Sequence, residues 1–395
     1  MNWIKRVTDS YQDNEAPERF FYWAALCALS AIARKKVYLD KFQYKLYPNI
    51  FAFLIAGSGG RKGLPVWVAR KLVEKAHCTR VIYGRASIQR IIQELGKPYP
   101  LGDGVTLRDA QGFLVSGELA AFLVKDPDAL TILTDIYDTH SYEDFWINSL
   151  KSTDTDKLRS PCLTLLGATN EDHFAEAVPN SAVGGGFIAR TFIVLSNEKC
   201  VPNSLTDPPE NTADIESLSE YLMEIATLEG EFKWTDKGKK LYNEWYYPHI
   251  SKSYFDPTGT MKRLGDQVLK VAMLVSLSEG PSLELDEQCI FEAITVSEAC
   301  VLGMQQVTMG SGRHAMTAGT RIVVRELVLN PMHQVDKAIL LQRYIGQFDD
   351  FDLTRIAETL QAANVIDIIP HGKEMVYKMK ASALAVYQDF KKAVQ

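Results

Sequence analysis

Apolar residues crowd into five short runs along the first half of the chain: "NIFAFLIAG" (49–57), "TRVIYG" (79–84), "GFLVSGE" (112–118), "PCLTLLGATN" (161–170) and "RTFIVLS" (190–196). Each is rich in β-branched and aromatic residues and is bounded by glycine, proline or polar residues, the pattern of a core strand. Helical segments separate them, and that alternation predicts an α/β fold with a mainly parallel sheet covered on both faces. Upstream, residues 1–45 read as helical and then briefly extended at "KKVYLDKFQYKLYP". Asp13 or Asn14 is expected to cap a helix that starts near Pro17, because proline suits a first helical turn. Downstream, "VPNSLTDPPENTADIES" lacks periodicity and predicts a linker, and helical patterns follow from 217 to about 308. After a second break, "TMGSGRHAMTAG", the spacing predicts helices over 319–329, 335–346 and 352–363, then two strands in "VIDIIPHGKEMVYKM". Three helices followed by a hairpin is the winged-helix pattern. The expected organisation is an N-terminal helical segment (1–45), an α/β core (46–200), a helical lid (201–312) and a winged-helix domain (313–395).

Composition narrows the function classes. The chain has 395 residues, 46% hydrophobic, with a net charge of −6. That balance gives no global attraction for nucleic acid, so DNA contact requires a local basic surface or an enclosed channel. The six cysteines are scattered with no C-x-x-C pair, which implies reduced thiols and a cytoplasmic setting. The longest apolar stretch, Phe20 to Ala33, is too short to span a bilayer. No membrane association is expected.

The candidate chemistry begins at "FAFLIAGSGGRKGLPVWVARKL" (51–72). A strand, a glycine turn with one lysine and a helix is the layout of a phosphate-binding loop. Glycines let backbone N–H groups wrap around phosphates, and the helix directs its positive end at them. Gly57, Ser58, Gly59, Gly60 and Lys62 carry this reading, with Arg61 and Gly63 completing the loop. The pattern G-x-x-x-x-G-K-[ST] is broken at Ala56, Arg61 and Gly63. The same residues also describe a tight strand-to-helix turn with an exposed lysine. A phosphate-binding ATPase needs an acid at the end of a neighbouring strand, to hold Mg²⁺ or polarise water. Glu118 stands there after "GFLVSG", with Gly117 where Asp is usual. A helix-capping surface acid is the alternative for Glu118, and Asp135 is a rival within what reads as a helix. Asn170, ending a strand, is placed to orient water. Arg190 follows Gly184–Gly186 at a strand entrance, where an arginine can supply transition-state charge to a neighbouring subunit's site. A structural salt bridge is the plainer role for it.

Taken in this order, "LYPNIFAFLIAGSGGRKG", "LVSGELAAFL" and "GGGFIART" resemble the AAA+ ATPases, and more narrowly the P-loop helicase-like proteins of phages and plasmids. "TMKRLGDQVLKVAMLVSL" resembles the sensor-2 helix of minichromosome-maintenance helicases, with Arg263 at the arginine position. The resemblance covers roughly residues 18–380. It implies ATP and Mg²⁺ as cofactors, with Glu118 at the metal, and a ring-forming homo-oligomer, in these families a hexamer. It also implies a DNA partner, single-stranded in a ring pore and duplex at the winged helix. The hairpin candidate "DTHSYEDFWINSLKSTDTDKLRS" offers Phe145, Trp146, Lys151, Lys157 and Arg159 to stack on bases and track phosphates. Arg355 on the third winged-helix helix, and Lys373, Lys378 and Lys380 on the wing, are the duplex candidates. The function so implied is an ATP-dependent DNA motor, a replicative helicase. The alternative is a hydrolysis-deficient DNA-binding initiator or helicase loader. A metabolic kinase fits the winged helix and Arg190 poorly.

Overall fold

A computed structural model describes residues 2–84, 87–102, 104–117, 128–138, 145–148, 156–178, 186–196, 214–251, 258–309, 316–346, 348–371 and 374–384. The five apolar runs form one sheet. Its strands are β1 (Phe51–Ile55), β2 (Arg80–Tyr83), β3 (Gln111–Ser116), β4 (Cys162–Thr169) and β5 (Thr191–Leu195). They lie in the order β5-β1-β4-β3-β2, every pair parallel. β1, β3, β4 and β5 are buried at every position, as a parallel sheet covered on both faces requires.

One face is covered by α1 (Glu18–Ala33) and α2 (Gly63–Ala76). α1 is apolar on nearly every side, which suits a helix buried within the core. Where it crosses the sheet, Ser30 Oγ lies 2.6 Å from Thr164 Oγ1 and accepts the Ile50 N–H at 3.2 Å, so its hydroxyl is satisfied in the interior. On the other face, the Phe51 ring meets Tyr137 at the end of α3 (Ala129–Tyr137), with centroids 4.9 Å apart. Phe53 meets Phe174 of α4 (Glu171–Ala177) at 5.6 Å. α5 (Thr260–Glu279) packs on α1 and on the short turn Ile188–Arg190 that leads into β5.

This strand order positions a site. From β1 the chain passes β4 and β3 to reach β2 at the far edge, then returns strand by strand and passes β1 to reach β5. The connection that leaves β1 runs toward β2, whereas those that leave β3 and β4 run the opposite way. The connections therefore reverse between β1 and β4, and right-handed crossovers leave α2 on one face and α3 and α4 on the other. In open α/β sheets such a reversal opens a crevice beyond the carboxyl end of the strand, where ligands bind.

Two compact units divide the chain, 1–304 and 305–395. The N-terminal helices, the sheet and α5 all belong to the first. The second has its own core, including Val323, Leu327, Leu340, Leu353, Ile356 and Tyr377. Its helices run Met316–Leu329, Lys337–Arg343 and Asp350–Ala362, and strands Ile366–His371 and Glu374–Met379 pair antiparallel. The helix expected over 335–346 is shorter, because Gln334–Asp336 forms a third strand that pairs Val335 with Tyr377. Upstream, of the two expected caps Asn14 does not bond the first turn of α1. Asn14 Oδ1 instead accepts the Ala16 N–H at 3.0 Å, closing a turn, and Pro17 precedes α1 without a side-chain cap bond among the described residues. No helix among the described residues is long and apolar enough to cross a membrane.

Candidate functional site

The glycine loop leaves β1 at the reversal point and enters α2 directly. Gly59 has φ +80° and Arg61 has φ +51°, while Lys62 returns to φ −58°, ψ −25°. Residues of opposite hand in succession turn neighbouring N–H groups toward one concave side, the geometry of an anion nest. Arg61 pays for its left-handed backbone without being glycine, and its side chain is held by Glu15 at 2.5 Å. Gly60 is required by packing: a Cβ there would sit 2.7 Å from Ala56 Cβ and 3.1 Å from Gly57 O. Gly57, Ser58 and Gly59 are exposed, and a Cβ at Gly57, Gly59 or Gly63 would meet no described atom within 4 Å. Lys62 Nζ donates to Ala56 O and Gly57 O, both at 2.8 Å, which holds the ammonium at the loop mouth. α2 starts with no side-chain cap bond among the described residues, so its first-turn N–H groups face the same crevice. These residues fit a phosphate group. Gly63 has no hydroxyl, and Glu118, the expected metal holder, lies outside the described residues.

Strand register brings Asn170 and Gly117 to this edge, since Thr169 pairs with Ile55 and Gly167 with Ser116. Asn170 caps α4, its Oδ1 accepting the His173 N–H at 2.7 Å and its Nδ2 lying 3.4 Å from His173 Nδ1.

Arg190 and Arg263 stand at the opposite end. Thr191, next to Arg190, pairs with Phe51 at the start of β1, so the sheet's full depth, about 16 Å for five residues, separates Arg190 from the loop. Arg190 does not project: it is 6% exposed, donates to Gly186 O at 2.7 Å and forms an ion pair with Asp138. Arg263 approaches the same carboxylate at 3.7 Å. Burial alone would push the Asp138 carboxyl up, but the Arg190 hydrogen bond and the charges of Arg190, Arg263 and Lys270 hold it below its usual range.

Lys270 was not among the residues singled out from the sequence. It is buried on α5, and its Nζ donates to Asn49 O at 3.1 Å and Asn49 Oδ1 at 2.8 Å, and lies 3.8 Å from the Tyr137 ring centre. The available signal was one lysine inside the apolar run "VLKVAMLV". Burial lowers its pKa to about 7, against the opposing pull of Asp138, Cys162 and Asp266 and with a smaller push from Arg190. An unfolded lysine titrates near ~10.4, so between about 7 and that value the unfolded chain binds more protons. Stability therefore rises with pH across this window, by up to about 1.4 kcal/mol per pH unit, and the full penalty of the buried charge is present below it. Thermal unfolding should show the wild-type midpoint climbing from pH 7 to 8.5 and a flatter profile for Lys270→Met. Equal slopes for the two proteins would contradict this reading of Lys270.

The DNA candidates fall on two elements. Phe145–Asn148 pairs antiparallel with Asp156–Arg159, so a hairpin is present. Lys157 Nζ lies 3.7 Å from the Phe145 ring centre, and Arg159 is held by Asp109 at 2.8 Å. Trp146 is half-buried, and Lys151 lies outside the described residues. In the second unit Arg355 is exposed beside the Phe351 ring, Lys378 is exposed on its strand, and Lys380 pairs with Asp367 at 3.3 Å. Lys373 lies outside the described residues.

The chain is a mixed α/β protein with a five-stranded parallel sheet and a nest-like loop at the end of β1, where the connections reverse. No protein-family model and no curated protein matches the chain.

Proposed function

We propose that the chain is a nucleotide-dependent DNA motor: a P-loop core of AAA+ type with a helical lid and a C-terminal winged helix, acting as a ring-forming replicative helicase of a phage or mobile element. The observation that carries this reading is the placement of the Gly57–Lys62 nest at the strand where the sheet reverses, with Lys62 at its mouth and Asn170 beside it. Backbone N–H groups of the nest and of the start of α2 receive the β- and γ-phosphates of ATP, and Lys62 supplies the point charge. Asn170 orients water at the same edge. Mg²⁺, when bound with ATP, neutralises phosphate charge, and Glu118 is the residue assigned to it.

Arg263, half-exposed and a strand's length from its own loop, is assigned to a neighbouring chain's nucleotide, and Arg190 joins it there only when its buried ion pair with Asp138 opens. Function then requires a homo-oligomer, in this reading a hexamer. The Phe145–Arg159 hairpin supplies an aromatic and cationic surface for single-stranded DNA in the ring pore. The three-helix, three-stranded C-terminal unit, with Arg355 and Lys378 exposed, is assigned to duplex DNA.

A second reading, a DNA-binding initiator or loader that holds nucleotide without hydrolysing it, is favoured by Gly63 and by the buried ion pair of Arg190. Substitution at Gly63 separates the two. The glycine has no left-handed φ, and an added Cβ meets nothing described within 4 Å, so threonine is accommodated. Gly63→Thr is expected to tighten Mg²⁺-dependent binding of a labelled ATP analogue about tenfold, or about 1.4 kcal/mol, and to raise phosphate release. A folded Gly63→Thr protein with neither gain would mean that the metal does not need an oxygen there.

A further inference from the structure

The nest of the glycine loop includes a residue that resists its own conformation. Left-handed and right-handed backbone alternate along the loop: Gly59 has φ +80°, Gly60 has no positive φ, Arg61 has φ +51° and Lys62 has φ −58°. That alternation turns successive N–H groups toward one side. At Gly59 it is free of strain. At Arg61 a Cβ crowds the following carbonyl and disfavours the left-handed form about tenfold, and the regular motif places glycine at this position. The Arg61 side chain is exposed, so the core does not clamp it. Its partner among the described residues is the Glu15 carboxylate, 2.5 Å from Nη2.

Glu15 is presented rigidly. It is half-buried on a turn pinned at both ends. On one side the Asn14 N–H donates to Tyr11 O at 3.0 Å, and the Tyr11 ring stacks on Phe21 at 4.9 Å. On the other, Ala16 is buried and its N–H donates to Asn14 Oδ1 at 3.0 Å. Surface ion pairs usually add little, because two long side chains must be immobilised together. Here the fold has already fixed one of them, so the pair restrains the other. We propose that Glu15 is a positioning residue of the phosphate loop, its ion pair holding Arg61 in the left-handed conformation that glycine supplies in the regular motif. Without it, Arg61 relaxes toward negative φ and the alternation that shapes the nest is lost. The N-terminal segment is thus part of the nucleotide site without touching nucleotide. The inference rests on the phosphate-loop reading above for its ligand, but not for the backbone state of Arg61.

Titration of a fluorescent ATP analogue with Mg²⁺ into the full chain tests the pair. Glu15→Gln should weaken binding about tenfold. Adding Arg61→Gly to Glu15→Gln should recover most of that loss, because glycine reaches positive φ without a tether. If Arg61 acted by touching phosphate, the second substitution would weaken binding further. Should Glu15→Gln fail to fold, the arginine side carries the same test. Arg61→Gly and Arg61→Met both remove the guanidinium, yet the glycine variant should bind about tenfold more tightly than the methionine variant. Affinity unmoved by Glu15→Gln, no recovery on adding Arg61→Gly, or equal affinities for the glycine and methionine variants would overturn the proposal. Absence of any binding by wild type would remove the phosphate-loop reading instead. A crystal structure of the ligand-free Glu15→Gln chain then decides: Arg61 at negative φ supports the tether, and Arg61 still left-handed overturns it.

Discussion

Lys62→Ala should reduce affinity for a labelled ATP analogue by about two orders of magnitude or more and leave the fold intact. The ammonium donates to the Ala56 and Gly57 carbonyls at the mouth of the nest, and its removal frees two neutral acceptors there. What is lost is the point charge on the phosphates, and hydrogen bonds to charged groups are worth about 1.5–3 kcal/mol each. Two such contacts account for the predicted loss. Circular dichroism and the thermal midpoint should match wild type, which separates a binding defect from unfolding. Unchanged affinity in a folded Lys62→Ala protein would return the loop to an ordinary strand-to-helix turn.

The second large effect is expected across subunits. Arg263→Ala should retain nucleotide binding and lose phosphate release by about a thousandfold, the scale of an arginine supplied to a γ-phosphate. Arg263 is the better probe of the pair because it is half-exposed, 3.7 Å from Asp138. Arg190→Ala would strand the Asp138 carboxylate, and breaking a buried ion pair costs about 3–5 kcal/mol, so lost activity there would mix chemistry with instability. Mixing Arg263→Ala with Lys62→Ala chains should restore part of the activity, because some interfaces then join an intact loop to an intact arginine. If the wild type stays monomeric with ATP and DNA, or if mixing restores nothing in a hydrolysis-competent protein, the shared site is lost. Arg190 and Arg263 would then be partners of Asp138 and nothing more.

The sheet was legible because each strand is a short, self-contained apolar run, and burial on both faces removes the need for alternation. The loop was legible for a similar reason: strand, glycines, lysine and helix are consecutive in sequence. The hairpin at Phe145–Arg159 and the C-terminal strand pair also depend on neighbours close in the chain. Sequence-distant pairings were not legible. Arg190 meets Asp138 across 52 residues, and Lys270 meets Asn49 across 221, so no local pattern announces either. The short strand Gln334–Asp336 was missed because its partner lies at Val376–Lys378, and pairing overrode the helical spacing around it. Arg61 shows the reverse case, in which a departure from the motif becomes intelligible in the structure. Its φ of +51° is the conformation for which glycine is favoured at that position.

The measurement closest to the central claim is steady-state phosphate release by the full chain with ATP and Mg²⁺, with and without single-stranded DNA. The account predicts release that rises severalfold when DNA is added, disappears in Lys62→Ala and recovers partly when Lys62→Ala and Arg263→Ala chains are mixed. Release that ignores DNA, or that survives loss of Lys62, would contradict a DNA motor driven from this loop.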